Sequence, residues 1–316
     1  MSGKKVVVIV AIIILLIAAN FFTPFTVNRI SVELKPERLF EVGPLAVTNT
    51  LLSSWLTVII LVIFALLSCR HLVDTPAPLS MQNVMEMMVE AAYDLLEQFA
   101  GAHTRAFFTV SATFLLYIVV ANWLPLLPGF GSVGIFAQRD GRRAFIPLLR
   151  GSTTDLNTTT ALAICSVVSS QVYAVRFAGF FNHLLHYIAI DNFLAFGKLI
   201  AKGKGLKLGL LLQGFLDLFI GLLNIFEELT KVLSFSFRLF GNVFGGEVLL
   251  TVMAFLAPYV VSVPFMMMEL FTGFIQALIF ALLSTAFFAQ AVPNHGQTIG
   301  ARDSAPSQQT AETEKQ

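Results

Sequence analysis

Residues 231–257 read "KVLSFSFRLFGNVFGGEVLLTVMAFLA", a stretch that is largely apolar yet carries an arginine, Arg238. An arginine stays protonated in any protein environment. Holding such a charge at the centre of a bilayer costs roughly 2.5 kcal/mol or more. Ionisable residues inside a membrane generally mark a functional site, so the surroundings of Arg238 direct the interpretation of the chain.

The composition assigns the whole chain to the membrane class. Of its 316 residues, 56% are hydrophobic and only 12% are charged, whereas soluble domains carry about 25% charged residues. The net charge is +1 and no basic patch is concentrated anywhere, which argues against a nucleic-acid partner. Cys69 and Cys165 lie in or beside apolar segments, so we expect them to act as small hydrophobic residues and not to form a disulfide framework.

The apolar runs predict an all-α integral membrane protein, a polytopic helical bundle. Residues 80–99 predict an amphipathic helix with an acidic face. Residues 23–46 are expected to lie outside the bilayer, and residues 128–156 are expected to form a long loop. Four arginines fall in the second loop, Arg150 among them. The clear membrane spans are residues 47–67, 107–127, 157–179 and 264–291.

Residues 208–257 are too long for one ordinary span. About 50 helical residues reach roughly 75 Å, against a hydrocarbon core of roughly 30 Å. Two spans that break near Glu227, Glu228 and Lys231 would fit this length. One long, strongly tilted helix fits it equally well.

The two ends differ from the membrane domain of residues 24–292. Residues 1–23 contain Lys4 and Lys5 followed by an apolar run, which fits either a signal peptide or a membrane anchor. The large residue Ile17 at the would-be cleavage site favours the anchor. The polar tail 293–316 is expected to be disordered and cytoplasmic.

Lysine and arginine positions predict the orientation. Lys4, Lys5, Arg70 and the lysine-rich linker 180–207 share one side if residues 208–257 cross once, and that side is then the cytoplasm. The arginine-containing loop 128–156 falls outside, against the usual bias.

Polar residues form a constellation in the last third of the chain. Ser234, Arg238 and Asn242 are spaced by four and share one helix face. Glu247 is nine residues past Arg238, a half turn away on the opposite face. The final helix presents one polar stripe, made of Glu269, Thr272, Gly273 and Gln276.

Glu247 and Glu269 are candidate proton carriers. A carboxyl isolated in apolar surroundings can stay neutral, because burial penalises its charged form. Alternatively, both glutamates pair with Arg238. The half-turn offset argues against that pairing for Glu247.

Other chemistry has little support in the sequence. His183 and His186 have no identifiable third metal ligand, and "GKLIAKGKG" at residues 197–205 lacks the spacing of a phosphate-binding loop, so we expect neither a metal nor a cofactor. A membrane enzyme would need a nucleophile with a base at hand. A self-contained secondary transporter with a carboxylate–arginine substrate site is the main alternative, although no internal repeat is evident.

Three motifs resemble subunit a of the F-type ATP synthase: "SFSFRLFGNVFGGE" (residues 234–247), "ELFTGFIQALIF" (269–280) and "TTDLNTTTALA" (153–163). The resemblance covers roughly residues 28–292. It implies a long tilted C-terminal helical hairpin, which favours a single crossing for residues 208–257. It also implies that the chain is a stator subunit in a bacterial plasma membrane and is not an enzyme on its own.

The resemblance also implies roles for individual residues. Arg238 matches the essential arginine that faces the ring of c subunits, and two half-channels would bring protons to that ring and away from it. Asp155 and Asn157 match a polar pair at the outer mouth. The remaining matches to the family's proton pathway are Asn242, Glu247, Glu269 and Gln276. The implied partners are the c-subunit ring, the peripheral-stalk b subunits and membrane lipid.

Overall fold

A computed structural model describes residues 35–43, 45–70, 73, 77, 80–127, 129–139, 142–179, 208–256 and 262–292. Within those residues the chain forms six α-helices and two small antiparallel hairpins. The helices are α1 (Asn49–Cys69), α2 (Met81–Ala100), α3 (Thr104–Trp123), α4 (Leu156–Ala178), α5 (Leu208–Leu256) and α6 (Ser262–Gln290). The strands are β1 (Arg38–Val42), β2 (Leu45–Thr48), β3 (Gly134–Arg139) and β4 (Arg142–Pro147).

Five of these helices are long and apolar enough to cross a membrane, namely all but α2. The all-α polytopic membrane fold predicted from composition is therefore confirmed. Helix α2 is the predicted amphipathic helix. It buries Ala92, Leu96 and Ala100 and exposes its acidic residues, among them Glu90 and Asp94.

The segment 128–156 is not the plain loop that we expected. It contains the β3–β4 hairpin, in which Ile135 pairs with Ile146 and Phe136 with Phe145. The sequence signal was present, since the apolar triplets 135–137 and 144–146 lie on either side of Asp140-Gly141, a dipeptide typical of tight hairpin turns. A second hairpin, β1–β2, lies just before α1.

Helix α5 decides the question that the sequence left open, because it is one continuous helix of 49 residues. The charged cluster does not break it. Lys231 Nζ lies 3.0 Å from a Glu227 carboxylate oxygen and 2.9 Å from one of Glu228. Pairs three and four residues apart lie side by side on a helix surface, so they stabilise the helix instead of ending it.

Aromatic packing and short hydroxyl contacts join the helices. Phe107, Phe280 and Phe288 are buried in one apolar cluster, and the rings of Phe235 in α5 and Phe280 in α6 meet edge to face at 4.8 Å. Hydroxyl pairs that bridge two helices, each 2.7 Å apart, are Ser166–Ser284, Ser111–Thr285 and Thr160–Ser236. Small hydroxyl residues allow helices to approach closely in a bilayer and hydrogen-bond across the contact.

Three parts of the sequence prediction lie outside the described residues. They are the anchor 1–23, the basic linker 180–207 with His183 and His186, and the tail 293–316.

Candidate functional site

Helix α5 has two contrasting faces around Arg238. One face is exposed and consists of Ser234, Phe237, Arg238, Gly241 and Gly245. A side chain added at Gly241 or Gly245 would meet open space. The opposite face is buried and contains Phe235, Ser236, Leu239, Val243 and Gly246. The exposed face is thus a stripe of apolar and small residues with one cation at its centre.

Arg238 is exposed in the described part of the chain. Its guanidinium donates a long hydrogen bond, 3.4 Å, to the hydroxyl of Ser234 one turn earlier. Phe235 turns into the core, while the side chain of Phe237 is 56% exposed beside Arg238. The helical period of 3.6 residues places these two phenylalanines, although they are close in sequence, on different faces of α5.

Glu247 lies on the opposite side of α5 from Arg238, as its spacing predicted, but it is not an isolated carboxyl. Arg150 holds it in a two-pronged ion pair: Nε donates to Oε1 at 3.0 Å and an Nη donates to Oε2 at 3.0 Å. The sequence prediction of an unpaired Glu247 is therefore wrong. The partner of Glu247 comes from the segment before α4, so the sequence of α5 alone could not predict the pair.

The main chain and head group of Arg150 are fixed by other elements. The Arg150 backbone N–H donates to the Ser53 hydroxyl of α1 at 3.1 Å, and that hydroxyl donates to the Asn49 carbonyl at 3.2 Å. A guanidinium N–H also reaches the Lys35 carbonyl at 3.5 Å. The Arg150 side chain is only 10% exposed.

Glu269 of α6 is buried against the backbone of α5. A Cβ built on Gly246 would overlap the Glu269 carboxylate, so only a glycine leaves room for it. Among the described residues, no cation pairs with Glu269, unlike Glu247. A glycine inside a helix costs about 1 kcal/mol relative to alanine. The Gly245-Gly246 pair was therefore a sequence sign of close approach that we did not use.

A cavity of about 280 Å³ brings the two glutamates together. Arg150, Glu247 and Glu269 all contribute to its wall, with Val243 and Leu250 of α5. The structure thus places the two predicted carboxyls in the wall of one cavity, although they belong to different helices.

A second cavity, of about 500 Å³, lies along the other half of α5. Arg238 and Ser234 line one part of it, and Glu227 and Lys231 line another. The first cavity is lined by α5 residues 243–251 and the second by residues 223–238. Along α5, Arg238 therefore lies at the end of the second cavity that is nearer in sequence to the first cavity.

Asn122 organises the wall of the first cavity, and the sequence did not identify it. Its amide donates to the Gly273 carbonyl of α6 at 3.0 Å and its carbonyl accepts from the Thr153 hydroxyl at 2.9 Å. The approach of the two residues is tight, since a Cβ added to Gly273 would lie 3.1 Å from the Asn122 Cβ. Asn122 thereby connects α3, α6 and the turn before α4.

Asp155 and Asn157 stand at the start of α4. Asp155 is buried, accepts a hydrogen bond from the Thr50 hydroxyl at 3.1 Å, and caps the helix by accepting from the Asn157 N–H at 2.9 Å. Asn157 is exposed. Neither lines the 280 Å³ cavity, but the preceding residue, Thr154, does.

Asn242 and Gln276 each carry a buried side-chain N–H₂ group. Neither group has a hydrogen-bond acceptor within the described part of the chain. Buried polar groups in proteins are nearly always paired, so these two amides are exceptions among the described side chains.

The amino-acid sequence matches a known family over most of the chain. A sequence model of the ATP synthase A chain family matches residues 51–289. The chain belongs to this family. ATP synthase A chains are membrane-sector subunits, so ATP synthesis, ion transport and assembly within an ATP synthase are the biological setting of the site.

Individual relatives agree with the family match. ATP synthase subunit a of Moorella thermoacetica is 28% identical over 83% of this chain and 99% of its own length. The protein of that name from Gloeobacter violaceus is 29% identical over 84% and 92%, and that of Geobacter sulfurreducens is 30% identical over 80% and 90%. The resemblance to an F-type ATP synthase subunit a is confirmed, and a self-contained transporter is at odds with it.

The matched segment of this A chain family member contains every residue that the sequence singled out as a site, from Asp155 to Gln276. It also contains three residues that we did not predict, Asn122, Arg150 and Gly246. Their partners are remote in sequence, and no local pattern distinguishes Arg150 from the other arginines of its loop.

Proposed function

We propose that this chain is the proton-translocating stator subunit of a bacterial F-type ATP synthase, and that Arg238 faces a rotating ring of c subunits. One observation carries the proposal. The exposed face of α5 around residue 238 combines one cation, Arg238, with apolar and small residues such as Phe237, Gly241 and Gly245. A neighbouring helix can pack closely against such a stripe, and a carboxylate on that helix would offset the charge of Arg238.

Protons reach the ring from the outer side through the 280 Å³ cavity. Asp155 and Asn157 form the outer mouth beside Thr154, a residue of the cavity wall. Glu247 and Glu269 then provide carboxylates, and Asn242 and Gln276 provide N–H groups that can hydrogen-bond water. The last step protonates a c-ring carboxyl, which in its neutral form can rotate through lipid.

Protons leave on the cytoplasmic side through the 500 Å³ cavity, which Glu227 and Lys231 line together with Arg238. When a neutral ring carboxyl arrives beside Arg238, the fixed positive charge favours the ionised form and drives proton release. The same charge repels hydronium, which keeps the two paths separate. Each proton driven by 100 mV supplies about 2.3 kcal/mol.

The remaining parts of the proposal concern topology and partners. The C-terminus lies in the cytoplasm of the plasma membrane, and the peripheral-stalk b subunits hold this chain against the turning ring. The chain itself performs no catalysis. It supports ATP synthesis by coupling proton flow to rotation.

The test is Arg238→Ala in the assembled complex. Inverted vesicles should fail to acidify when ATP is added, while the amount of assembled complex is unchanged, because the exposed stripe around residue 238 then holds no cation. Arg38→Gln is the matched control. It removes an arginine from an exposed ion pair with Glu41, where both side chains are more than half exposed, and should pump normally. Near-normal pumping by Arg238→Ala would refute the proposed function.

A further inference from the structure

We propose that Arg150 is a positioning residue of the proton path: it fixes the Glu247 carboxylate in the cavity wall and cancels its charge, which leaves Glu269 as the proton-accepting carboxyl. This inference rests on the proposed function and divides the roles of two glutamates that the sequence treated alike.

The geometry of the pair supports a fixed Glu247. Both carboxylate oxygens are engaged by the guanidinium, each at 3.0 Å, and parallel contacts of this kind restrict both distance and orientation. Arg150 is itself restrained by Ser53 and by the Lys35 carbonyl. The Glu247 carboxylate therefore has little freedom to turn towards a moving proton.

The charges around the cavity support a separate role for Glu269. The charged residues that line it are Arg150, Glu247 and Glu269. Because Arg150 and Glu247 neutralise each other, Glu269 is the one carboxyl of this set that no cation compensates. Its carboxylate takes a proton from a hydronium in the cavity, releases water, and later passes the same proton to the next acceptor.

Removing Arg150 should therefore disturb proton conduction, because it frees the Glu247 carboxylate. In Arg150→Gln the Glu247 carboxylate remains in a half-buried site without its partner, where it competes with Glu269 for the proton. We expect proton conduction per assembled complex, measured under an imposed potential, to fall on the order of tenfold. Arg150→Lys keeps the charge without the planar fork, so it should recover part of the conduction.

The double variant Arg150→Gln/Glu247→Gln gives the decisive comparison. It removes both charges together, so it should conduct better than Arg150→Gln and better than Glu247→Gln alone. Arg38→Gln, in which an exposed ion pair is broken, should conduct normally. All rates are divided by the amount of assembled complex, so that a loss of folding does not count as a loss of conduction.

Several outcomes would overturn the inference. Conduction per complex could be normal in Arg150→Gln, or the losses of the two single variants could simply add in the double variant. If Arg150→Gln does not assemble, the double variant carries the test, and conduction per complex no better than that of Glu247→Gln alone would reject the inference. None of these results would affect the proposed function, which fails only if Arg238→Ala still pumps.

Discussion

The carboxylate of Glu269 occupies the space that a side chain at Gly246 would fill. The contact joins the two long C-terminal helices at the cavity that Glu247 also lines. A helix interior normally disfavours glycine. The close approach of a buried carboxyl gives this glycine a physical reason, and it connects helix packing directly to the proposed path.

Gly246→Ala should therefore displace the Glu269 carboxylate. Over-packing of this kind typically costs about 1–3 kcal/mol of folding free energy. We expect less assembled complex and, per complex, slower ATP-driven acidification of inverted vesicles. The double variant Gly246→Ala/Glu269→Ala removes the overlap, so its assembly should recover while its pumping stays low. Normal pumping in Gly246→Ala would contradict the contact.

Glu247 and Glu269 should be close enough to cross-link when both are replaced by cysteine. The two native cysteines, Cys69 and Cys165, are exposed and would first be changed to serine. A short thiol cross-linker, followed by mass spectrometry, should join positions 247 and 269. A cysteine at Phe237, on the opposite face of α5, should not be joined to position 269. If only one of the two cavity positions reacts with an aqueous thiol reagent, the shared cavity is wrong.

Asn122→Ala should loosen the wall of the same cavity. The change removes a donor to the Gly273 carbonyl and an acceptor for the Thr153 hydroxyl, both buried. Leaving buried groups unpaired costs about 1–3 kcal/mol each. We expect the purified complex to lose this subunit at a lower temperature on heating. Thr113→Ala is the matched control, since its hydroxyl donates to the Thr109 carbonyl on an exposed helix surface; equal losses in both variants would argue against the network.

Arg238→Lys should restore little of the pumping that Arg238→Ala abolishes. A lysine ammonium can lose its proton where water is scarce, and it lacks the planar fork of arginine. Passive proton leak under an imposed potential should persist or rise in both variants, because the barrier between the two paths is weakened. Full coupling in the lysine variant would show that a point charge is sufficient. A leak below that of the unmodified complex would argue against two paths separated by Arg238.

Properties that depend on short-range order were predictable from the sequence. The apolar runs predicted the spans, and the acidic periodicity predicted α2, because hydrophobic burial and the helical repeat act over neighbouring residues. The nine-residue spacing correctly separated Arg238 from Glu247. The motifs around Arg238, Glu269 and Asp155 were specific enough to indicate the family by themselves.

Only the tertiary structure decided what each polar group meets. Arg150 and Glu247 are 97 residues apart, and Asn122 and Gly273 are 151 residues apart. Such pairs form because helix packing brings separate segments of the chain together. No local sequence pattern therefore indicates which side chain will be the partner. The sequence by itself determined that charged residues fall within helices that are long and apolar enough to span a membrane, and it determined on which faces of those helices they lie. The packing of α5 against α6 and against the segment before α4 determined that Glu247 is paired, that Glu269 has no cation beside it among the described residues, and that both line one cavity.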